Sequence, residues 1–308
     1  MKTAIVGCTG FVGTNLCNSF EFDGKYNSRN IEEAYGTCPD CLVYSGVRAE
    51  MYLANQFPEK DWEIIQNAIE NIKKIAPKKV ILISTIAVYD QTYGVDEDSF
   101  IDESKSTVYG RNRRILEKWV EENFKEYLIV RLSGIYGANM KKNFIYDMIH
   151  IIPAMLNEKK YIELSTKDPH IIDYYKLQAN GFYKCMAQKD TERKMLKQHF
   201  IDLDFTALKF TDGRGIFQYY NLNQLWRHIQ VALQNNLQLL NLATEPVTPR
   251  EIYEYVTGKE FLNEMTNPLP HFDFKSKYAD LMGGKNGYIL TKEQALIDIK
   301  KFIEDNSL

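Results

Sequence analysis

Short apolar runs alternate with longer segments of helical periodicity up to about residue 135 of the chain. The runs with the composition of strands are residues 3–7, 25–28, 41–45, 80–84 and 127–132. Apolar residues at helical spacing lie between them, at residues 11–20, 62–75 and 108–124. Nearly continuous apolar strands that alternate with helices are typical of a parallel sheet covered on both faces. The pattern therefore predicts an α/β domain with a doubly wound parallel sheet in residues 1–140.

The pattern changes in the second half of the chain. Residues 141–205 are richer in charged and aromatic side chains, and no single periodicity dominates there. Helical spacing returns at 219–235 and 291–304, and Thr248, Pro249 and Glu251 form a helix start with a capping box. We predict a smaller α-rich C-terminal domain in residues 141–308 that binds substrate. The segment near 214–235 is expected to return to the first domain.

Charge and composition exclude several partners. The 308 residues carry 38 basic and 41 acidic side chains, a net charge of −3, which argues against a nucleic-acid partner. No apolar run reaches the roughly 18 residues that a membrane span needs. The N-terminal apolar stretch leads directly into glycines and is interpreted as a strand rather than a signal peptide. With five cysteines, an odd number, this favours a cytoplasmic protein.

A glycine-rich loop separates the first strand from the first helix. Gly7, Gly10 and Gly13 stand at G-x-x-G-x-x-G spacing in the strand–loop–helix context of a dinucleotide site. Small residues let the backbone approach a pyrophosphate, and the helix N-terminus offers free N–H groups. This predicts a Rossmann-type domain. The candidate cofactor-binding residues here and at the end of the third strand are Gly7, Thr9, Gly10, Phe11, Val12, Gly13, Ser45 and Gly46.

The end of the second strand indicates which dinucleotide binds. An NAD site usually has Asp or Glu near that position, about 20 residues after the glycines, to hold the ribose hydroxyls. Asp23 precedes the strand, and Arg29 follows it. Because a guanidinium suits a 2′-phosphate, we predict NADP as the cofactor, with NAD as the alternative.

Three further residues are candidates for a chemical role. Thr85 stands at the end of an apolar strand, where α/β sheets present groups to ligands. Tyr109 and Arg113 begin the next helix at i,i+4 spacing, which puts both on one face. Without further information, a structural role is the more common one for such residues.

Taken together, these motifs resemble the extended short-chain dehydrogenases/reductases, also called the NAD-dependent epimerase/dehydratase family. The resemblance rests on the glycine loop with Phe11, the segment 84–89, Tyr109 with a cation four residues later, Glu117, the segment 130–137, and the late segment 214–225. It covers most of the chain and is weakest at 141–205. It implies a Rossmann domain that binds NAD(P), and many members act on nucleotide sugars.

The resemblance also implies roles for individual residues. Thr85 matches the residue that hydrogen-bonds the substrate oxygen, and Tyr109 matches the acid/base. Arg113 matches the cation that holds the ribose and, together with the oxidised nicotinamide, lowers the pKa of the tyrosine. Both residues would contact the cofactor. Ser133, Gly134 and Arg214 match substrate-contacting positions. The family further suggests a homodimer formed through helices 61–75 and 108–124.

Three positions differ from the family pattern, and each difference bears on the reaction or on the substrate. The family lysine is replaced by Arg113, which cannot relay a proton, and Glu117 is a candidate partner for it. The Asp-Glu pair of sugar dehydratases is replaced by Ile86 and Ala87, which argues against dehydration. Gly134 replaces a substrate-binding Asn.

We therefore predict an NAD(P)-dependent oxidoreductase that transfers hydride to or from a carbonyl or alcohol of a nucleotide sugar or related small molecule, as a reductase or an epimerase. The alternative is a catalytically impaired NADP-binding sensor or scaffold, because of Arg113. Cys38 and Cys41 have no second metal-binding pair, and the five histidines are scattered, so no metal site is predicted.

Overall fold

The computed structural model describes residues 1–178, 180–266 and 268–307. The chain forms two compact units. Unit 1 comprises Met1–Met140, Ile216–Val247 and Pro270–Asp298, and unit 2 comprises Lys141–Gly215, Thr248–Leu269 and Ile299–Leu308.

The strands, in chain order, are β1 (Thr3–Val6), β2 (Gly24–Tyr26), β3 (Cys41–Tyr44), β4 (Lys79–Thr85), β5 (Tyr93–Val95), β6 (Glu126–Leu132), β7 (Gly134–Tyr136), β8 (Met155–Leu156), β9 (Tyr175–Leu177), β10 (Tyr183–Cys185), β11 (Tyr219–Asn221), β12 (Leu239–Leu242) and β13 (Asp273–Phe274). The α-helices are α1 (Phe11–Ser19), α2 (Met51–Gln56), α3 (Pro58–Ile75), α4 (Val108–Asn123), α5 (Phe144–His150), α6 (Glu158–Lys167), α7 (Ile171–Tyr174), α8 (Asp190–Asp202), α9 (Leu225–Gln234), α10 (Pro249–Thr257) and α11 (Lys292–Asn306).

Unit 1 is built on a parallel sheet with strand order β12-β6-β4-β3-β1-β2. The chain goes from β1 to β2 on one side and then returns to β3 on the other side of β1. The direction of winding therefore reverses between β1 and β3, which is the place where open α/β sheets bind ligands. This is the doubly wound Rossmann-type α/β fold that the sequence predicts.

Alternation along the strands gives the sheet an apolar core on each face. Ile5 on β1 and Ile81 on β4 pack on one face with Leu16 of α1 and Ile229 of α9. The residues next to them in the strands point to the opposite face, where the core residues include Leu42, Leu82, Ile65 and Ile72 of α3, and Leu116 and Val120 of α4. Burial on both faces explains why these strands are apolar almost throughout.

A buried charge pair attaches α4 to the sheet. Glu117 and Arg131 are 0% and 2% exposed, and Arg131 Nε and Nη2 donate to the two Glu117 carboxylate oxygens at 3.0 and 2.6 Å. Ser84 Oγ donates to the same carboxylate at 2.5 Å, and Arg114 Nη1 donates at 2.9 Å. With this set of donors the buried carboxylate is well satisfied. Glu117 therefore connects α4 with the ends of β4 and β6.

Unit 2 contains the part of the chain that sequence patterns do not resolve. An antiparallel sheet with order β8-β10-β9 and helices α5 to α8 form it, together with α10 and the last turns of α11. Its core combines Leu156, Leu164, Ile171, Leu196 and Phe200. The role of residues 141–308 in binding substrate stays a prediction.

The expected helix at 219–235 is wrong over residues 219–224. Tyr219–Asn221 form β11, which pairs in parallel with β7, and the helix begins only at Leu225. Asn221 Oδ1 accepts the Asn223 N–H and so helps to turn the chain between strand and helix. By contrast, Thr248 caps α10 with the expected capping box. In the part of the chain that the structure describes, none of the helices has the length and apolar character to cross a membrane.

Breaking the Glu117 pair is expected to destabilise unit 1. Glu117→Ala leaves Arg131 buried without its counter-charge, so the free energy of unfolding should fall by about 3–5 kcal/mol in denaturant titrations. Glu121→Ala is the matched control, because Glu121 also binds Arg114 but is 30% exposed, and it should cost about 0–1 kcal/mol. An equal fall in the free energy of unfolding of the two variants would show that the buried pair does not stabilise unit 1 more than the exposed one.

A buried histidine is expected to make stability depend on pH. Arg227 Nη2 donates to His228 Nε2 at 3.0 Å, so the neutral ring carries its proton on Nδ1, 2.7 Å from the Tyr220 hydroxyl. Burial, reinforced by the charge of Arg227, lowers the pKa of His228 to about 4. Since unfolded histidine titrates near 6.5, the unfolded state binds more protons between these values, and stability falls as pH falls through that window.

His228→Gln should remove this component. The difference in unfolding free energy between the wild type and the variant should shrink by on the order of 3 kcal/mol as the pH is lowered from neutrality to about pH 4. All other titrating groups are common to the two proteins, so urea titrations at several pH values isolate His228. A difference that is independent of pH would show that its pKa is ordinary.

Candidate active site

The glycine loop and the end of β3 meet at the carboxyl edge of the sheet, where its winding reverses. The backbone N–H and the Oγ of Ser45 both donate to the Val6 carbonyl at 2.9 Å. A Cβ on Gly7 would lie 2.7 Å from the Ser45 backbone, and Gly46 follows directly. The structure therefore brings together three of the cofactor residues that the sequence predicts.

The loop then turns into α1 in a way that leaves room for an anion. A Cβ on Gly13 would lie 2.0 Å from the Gly7 carbonyl oxygen, so only glycine lets the helix approach the strand this closely. Gly10 is the N-cap, with no side-chain cap, and the first turn contains no acidic residue. Thr9 and Gly10 are exposed, and Phe11 and Val12 are partly buried. These residues fit a pyrophosphate at a helix N-terminus.

Arg29 lies in the turn after β2, the strand next to β1. Its backbone N–H donates to Asn27 Oδ1 at 2.8 Å, and its side chain is exposed. The guanidinium has no ion-pair or hydrogen-bond partner among the described residues. It is therefore free to bind a phosphate, and its role in cofactor choice stays a prediction.

The ends of β4 and the start of α4 are held close by a glycine. Thr85 is the last residue of β4, and its Oγ1 accepts the Ala87 N–H at 3.1 Å, which caps the following turn. Tyr109 lies in the first turn of α4 and is 6% exposed. A Cβ on Gly110 would lie 2.0 Å from the Ala87 carbonyl oxygen. Gly110 therefore lets the first turn of α4 pack against the turn that follows Thr85.

Arg113 is buried and ion-paired rather than free. Its Nη1 donates to Asp61 Oδ2 at 2.5 Å, and its Nη2 donates to the Arg48 carbonyl oxygen at 2.7 Å. Asn112 Nδ2 also donates to Asp61 Oδ2, at 2.9 Å. The guanidinium carbon lies 3.8 Å from the centre of the Tyr109 ring. Arg113 Nη1 also donates to the Tyr109 carbonyl oxygen at 3.4 Å, whereas the buried Nε has no hydrogen-bond partner among the described residues.

These charges act on the Tyr109 hydroxyl in opposite directions. Burial raises the pKa of Tyr109 above its usual value, and the positive charge of Arg113 offsets part of that effect. The negative charge of Asp61 raises the pKa further. In the protein by itself, burial therefore outweighs the cation, and the lower pKa expected with an oxidised nicotinamide bound stays a prediction.

The expectation that Glu117 pairs with Arg113 is also wrong. The Glu117 carboxylate is directed to the sheet and is occupied by Ser84, Arg114 and Arg131. Arg114 is 17% exposed and binds Glu117 and Glu121. The partner of Arg113 is Asp61 instead.

Sequence reasoning missed Asp61, although its position carries a signal. Asp61, Ile65, Ala68 and Ile72 are spaced so that they share one face of α3, and all four are buried. The apolar stripe of this helix therefore starts with a carboxylate. A buried Asp at such a position requires a cationic partner, and Arg113 supplies it.

The predicted substrate residues have their own partners. Ser133 Oγ donates to the Leu242 carbonyl oxygen at 2.9 Å, and Gly134 begins β7, where a Cβ would lie 2.4 Å from the Gln218 carbonyl oxygen. Arg214, in unit 2, donates to both carboxylate oxygens of Asp212 and pairs with Glu264. Their contact with substrate stays a prediction.

The parallel sheet and the glycine loop at its winding reversal define a Rossmann-type protein. The family match below places it in the extended short-chain dehydrogenase/reductase class. A family model described as the RmlD substrate binding domain matches residues 1–162. The chain belongs to this family. No curated protein sequence matches the chain.

Solved structures share the fold over nearly the whole chain. A dTDP-4-dehydrorhamnose reductase from Bacillus anthracis, in complex with NADP, has a TM-score of 0.63 at 15% identity and covers 99% of both chains. A UDP-glucose 4-epimerase from Thermotoga maritima, with UDP-glucose, has a TM-score of 0.61 at 12% identity and 99% coverage of both. RMD from Pseudomonas aeruginosa, with NADPH, has a TM-score of 0.62 at 13% identity and 99% coverage of both.

Removing the Arg29 guanidinium should weaken binding of NADPH but not of NADH. The two cofactors differ in the 2′-phosphate, and the loss of charge-assisted bonds to it corresponds to about 10–100-fold in Kd. Fluorescence titrations of Arg29→Ala with each cofactor measure this. Lys125→Ala, which removes an exposed cation at the amino edge of the sheet, is the control and should change neither Kd. An unchanged preference in Arg29→Ala would exclude Arg29 as the phosphate ligand.

Proposed function

We propose that the protein is an NADPH-dependent reductase that acts on a carbonyl group of a nucleotide sugar. The observation that carries the proposal is the close packing of α4 on the end of β4 at Gly110, which holds Tyr109 beside the strand end that presents Thr85. Family membership and the NADP and NADPH complexes of the structural neighbours support the choice of cofactor. Unit 2 is proposed to bind the substrate.

The residues of this chain have separate tasks in such a reaction. The glycine loop and Arg29 hold the phosphates of NADPH, which supplies the hydride. Thr85 Oγ1 donates a hydrogen bond to the substrate carbonyl oxygen and keeps it facing Tyr109. As negative charge develops on that oxygen, the Tyr109 hydroxyl transfers its proton to it.

The charges around Tyr109 favour reduction over epimerisation. A tyrosine with a raised pKa holds its proton near neutral pH, which is the form that can protonate a developing alkoxide. An epimerase must also remove a proton from an alcohol, so it needs the tyrosine in its ionised form. Asp61 opposes that form, because it neutralises Arg113 and adds its own negative charge near the ring.

The same ion pair is the observation that favours a second candidate function. With Arg113 committed to Asp61 and to the Arg48 carbonyl oxygen, little cationic charge is available to promote turnover. The alternative is a protein that binds NADP without turnover, as a sensor or scaffold.

Tyr109→Phe should separate these two functions. The variant removes the transferable proton and keeps the ring that stacks on Arg113, so kcat for NADPH oxidation should fall by about 10²–10⁴-fold while the protein still binds NADPH. The assay uses NADPH with a panel of 4-keto nucleotide sugars, the dTDP-linked ones first. Tyr127→Phe, a change near the amino end of β6 and away from the carboxyl edge of the sheet, should retain full activity.

Two outcomes would overturn the proposal. If the wild type binds NADPH but oxidises none of it with any of these sugars, the binding protein is the correct assignment. If turnover occurs and Tyr109→Phe retains it, Tyr109 is not the proton donor and the chemistry lies elsewhere.

A further inference from the structure

Three polar side chains of unit 2 converge on one point, although the sequence separates them. Asp168 Oδ1 lies 3.0 Å from His170 Nδ1, and Asp168 Oδ2 lies 2.5 Å from His199 Nδ1. Candidate ligand atoms of the three residues all lie within 4.8 Å of one another. The two imidazole rings stack with a centroid distance of 5.0 Å. The expectation that the histidines are scattered is therefore wrong for this pair.

The cluster is supported by the packing of the helices that carry it. Asp168 follows the last residue of α6, His170 precedes the first residue of α7, and His199 lies on α8. The core of unit 2 lies behind them, with Leu164 on α6, Ile171 on α7, and Leu196 and Phe200 on α8. The His170 N–H also donates to Asp168 Oδ1 at 3.1 Å, which fixes the turn between α6 and α7.

The cluster is open to solvent on one side. The side chain of His170 is 68% exposed, that of His199 is 27% exposed, and that of Asp168 is 15% exposed. A half-buried carboxylate therefore lies between two accessible imidazoles. None of the three residues belongs to the candidate active site of unit 1, and none takes part in the proposed reduction.

We propose that Asp168, His170 and His199 bind a divalent transition-metal ion. Two neutral imidazoles and one carboxylate are a ligand set that suits Zn²⁺ and its first-row neighbours, and three protein ligands leave a coordination position open to water or another ligand. Each ring binds the metal through Nδ1 and carries its proton on Nε2, so no net proton is lost from a neutral histidine.

The fit requires only small movements. Ligand bonds of about 2.0–2.2 Å place neighbouring ligand atoms roughly 3.4 Å apart in a tetrahedral site. The carboxylate–histidine contacts open by less than about 1 Å to reach that spacing. The His170 side chain is 68% exposed, which leaves room for this adjustment. The short spacing in the sequence between Asp168 and His170 gives the pair a fixed orientation, and α8 brings the third ligand.

Zinc binding to the full-length untagged protein tests the proposal. After treatment with EDTA and its removal, calorimetric titration with ZnCl₂ should show one saturable site per chain. His170→Ala, His199→Ala and Asp168→Asn should each weaken that site by more than about 10-fold. His271→Ala, which removes an exposed histidine of unit 1, is the matched control and should leave binding unchanged.

Two further measurements distinguish loss of the metal site from loss of the fold. Circular-dichroism melts without metal should be the same for His170→Ala and the wild type, since that side chain is mostly exposed. Co²⁺ should give visible absorption of a tetrahedral site in the wild type and lose it in the variants. The absence of saturable Zn²⁺ binding, or undiminished binding in a His170→Ala/His199→Ala double variant, would overturn the proposal. Neither result bears on reductase activity.

Discussion

The candidate active site of unit 1 depends on the carboxylate of Glu117. It receives hydrogen bonds from Ser84 at the end of β4, from Arg131 on β6 and from Arg114 on its own helix. Because a buried carboxylate requires its donors, α4 cannot slide or rotate relative to the two strands without leaving a charge unpaired. Thr85 is next to Ser84, and Tyr109 is two turns before Glu117 on α4. The contact that stabilises the core therefore also sets the position of the two proposed reacting groups.

A second ion pair, between Asp61 and Arg113, sets the electrostatics of the same site. The two pairs are one turn apart on α4: Glu117 pairs with Arg131 of β6, and Arg113 pairs with Asp61 of α3. In the family pattern, a lysine at the position of Arg113 would keep a mobile charge near the tyrosine. Here the cation is planar, buried and fixed by a carboxylate and a backbone carbonyl. The pKa of Tyr109, the proposed proton donor, is therefore raised by burial more than this cation lowers it.

Local signals in the sequence predict a large part of this structure. The glycine loop, the apolar strands, α3, α4 and the capping box of α10 are each defined by residues close together in the chain, so spacing and composition identify them. Asp61 with Arg113, and Glu117 with Arg131, depend on which helix packs on which strand, and local patterns do not contain that information. The same applies to His170 and His199, which the packing of α7 and α8 brings together. Helix α9 begins later than the sequence pattern predicts, because the pairing of β11 with β7 outweighs helical spacing at Tyr219 and Tyr220.

The burial of Tyr109 has a consequence for how such a site would be renewed between reaction cycles. A tyrosine that has given up its proton must regain one, and the lysine of related sites can pass protons on, whereas a guanidinium keeps its own. Arg113 therefore cannot pass a proton to Tyr109 as that lysine would. If Tyr109 is the proton donor, only 6% of it is accessible, and a replacement proton would reach it once product has left. Tyr109 would then regain its proton only when product leaves. Solvent hydrogen-isotope effects on the rate would therefore reflect product release as well as the chemical step.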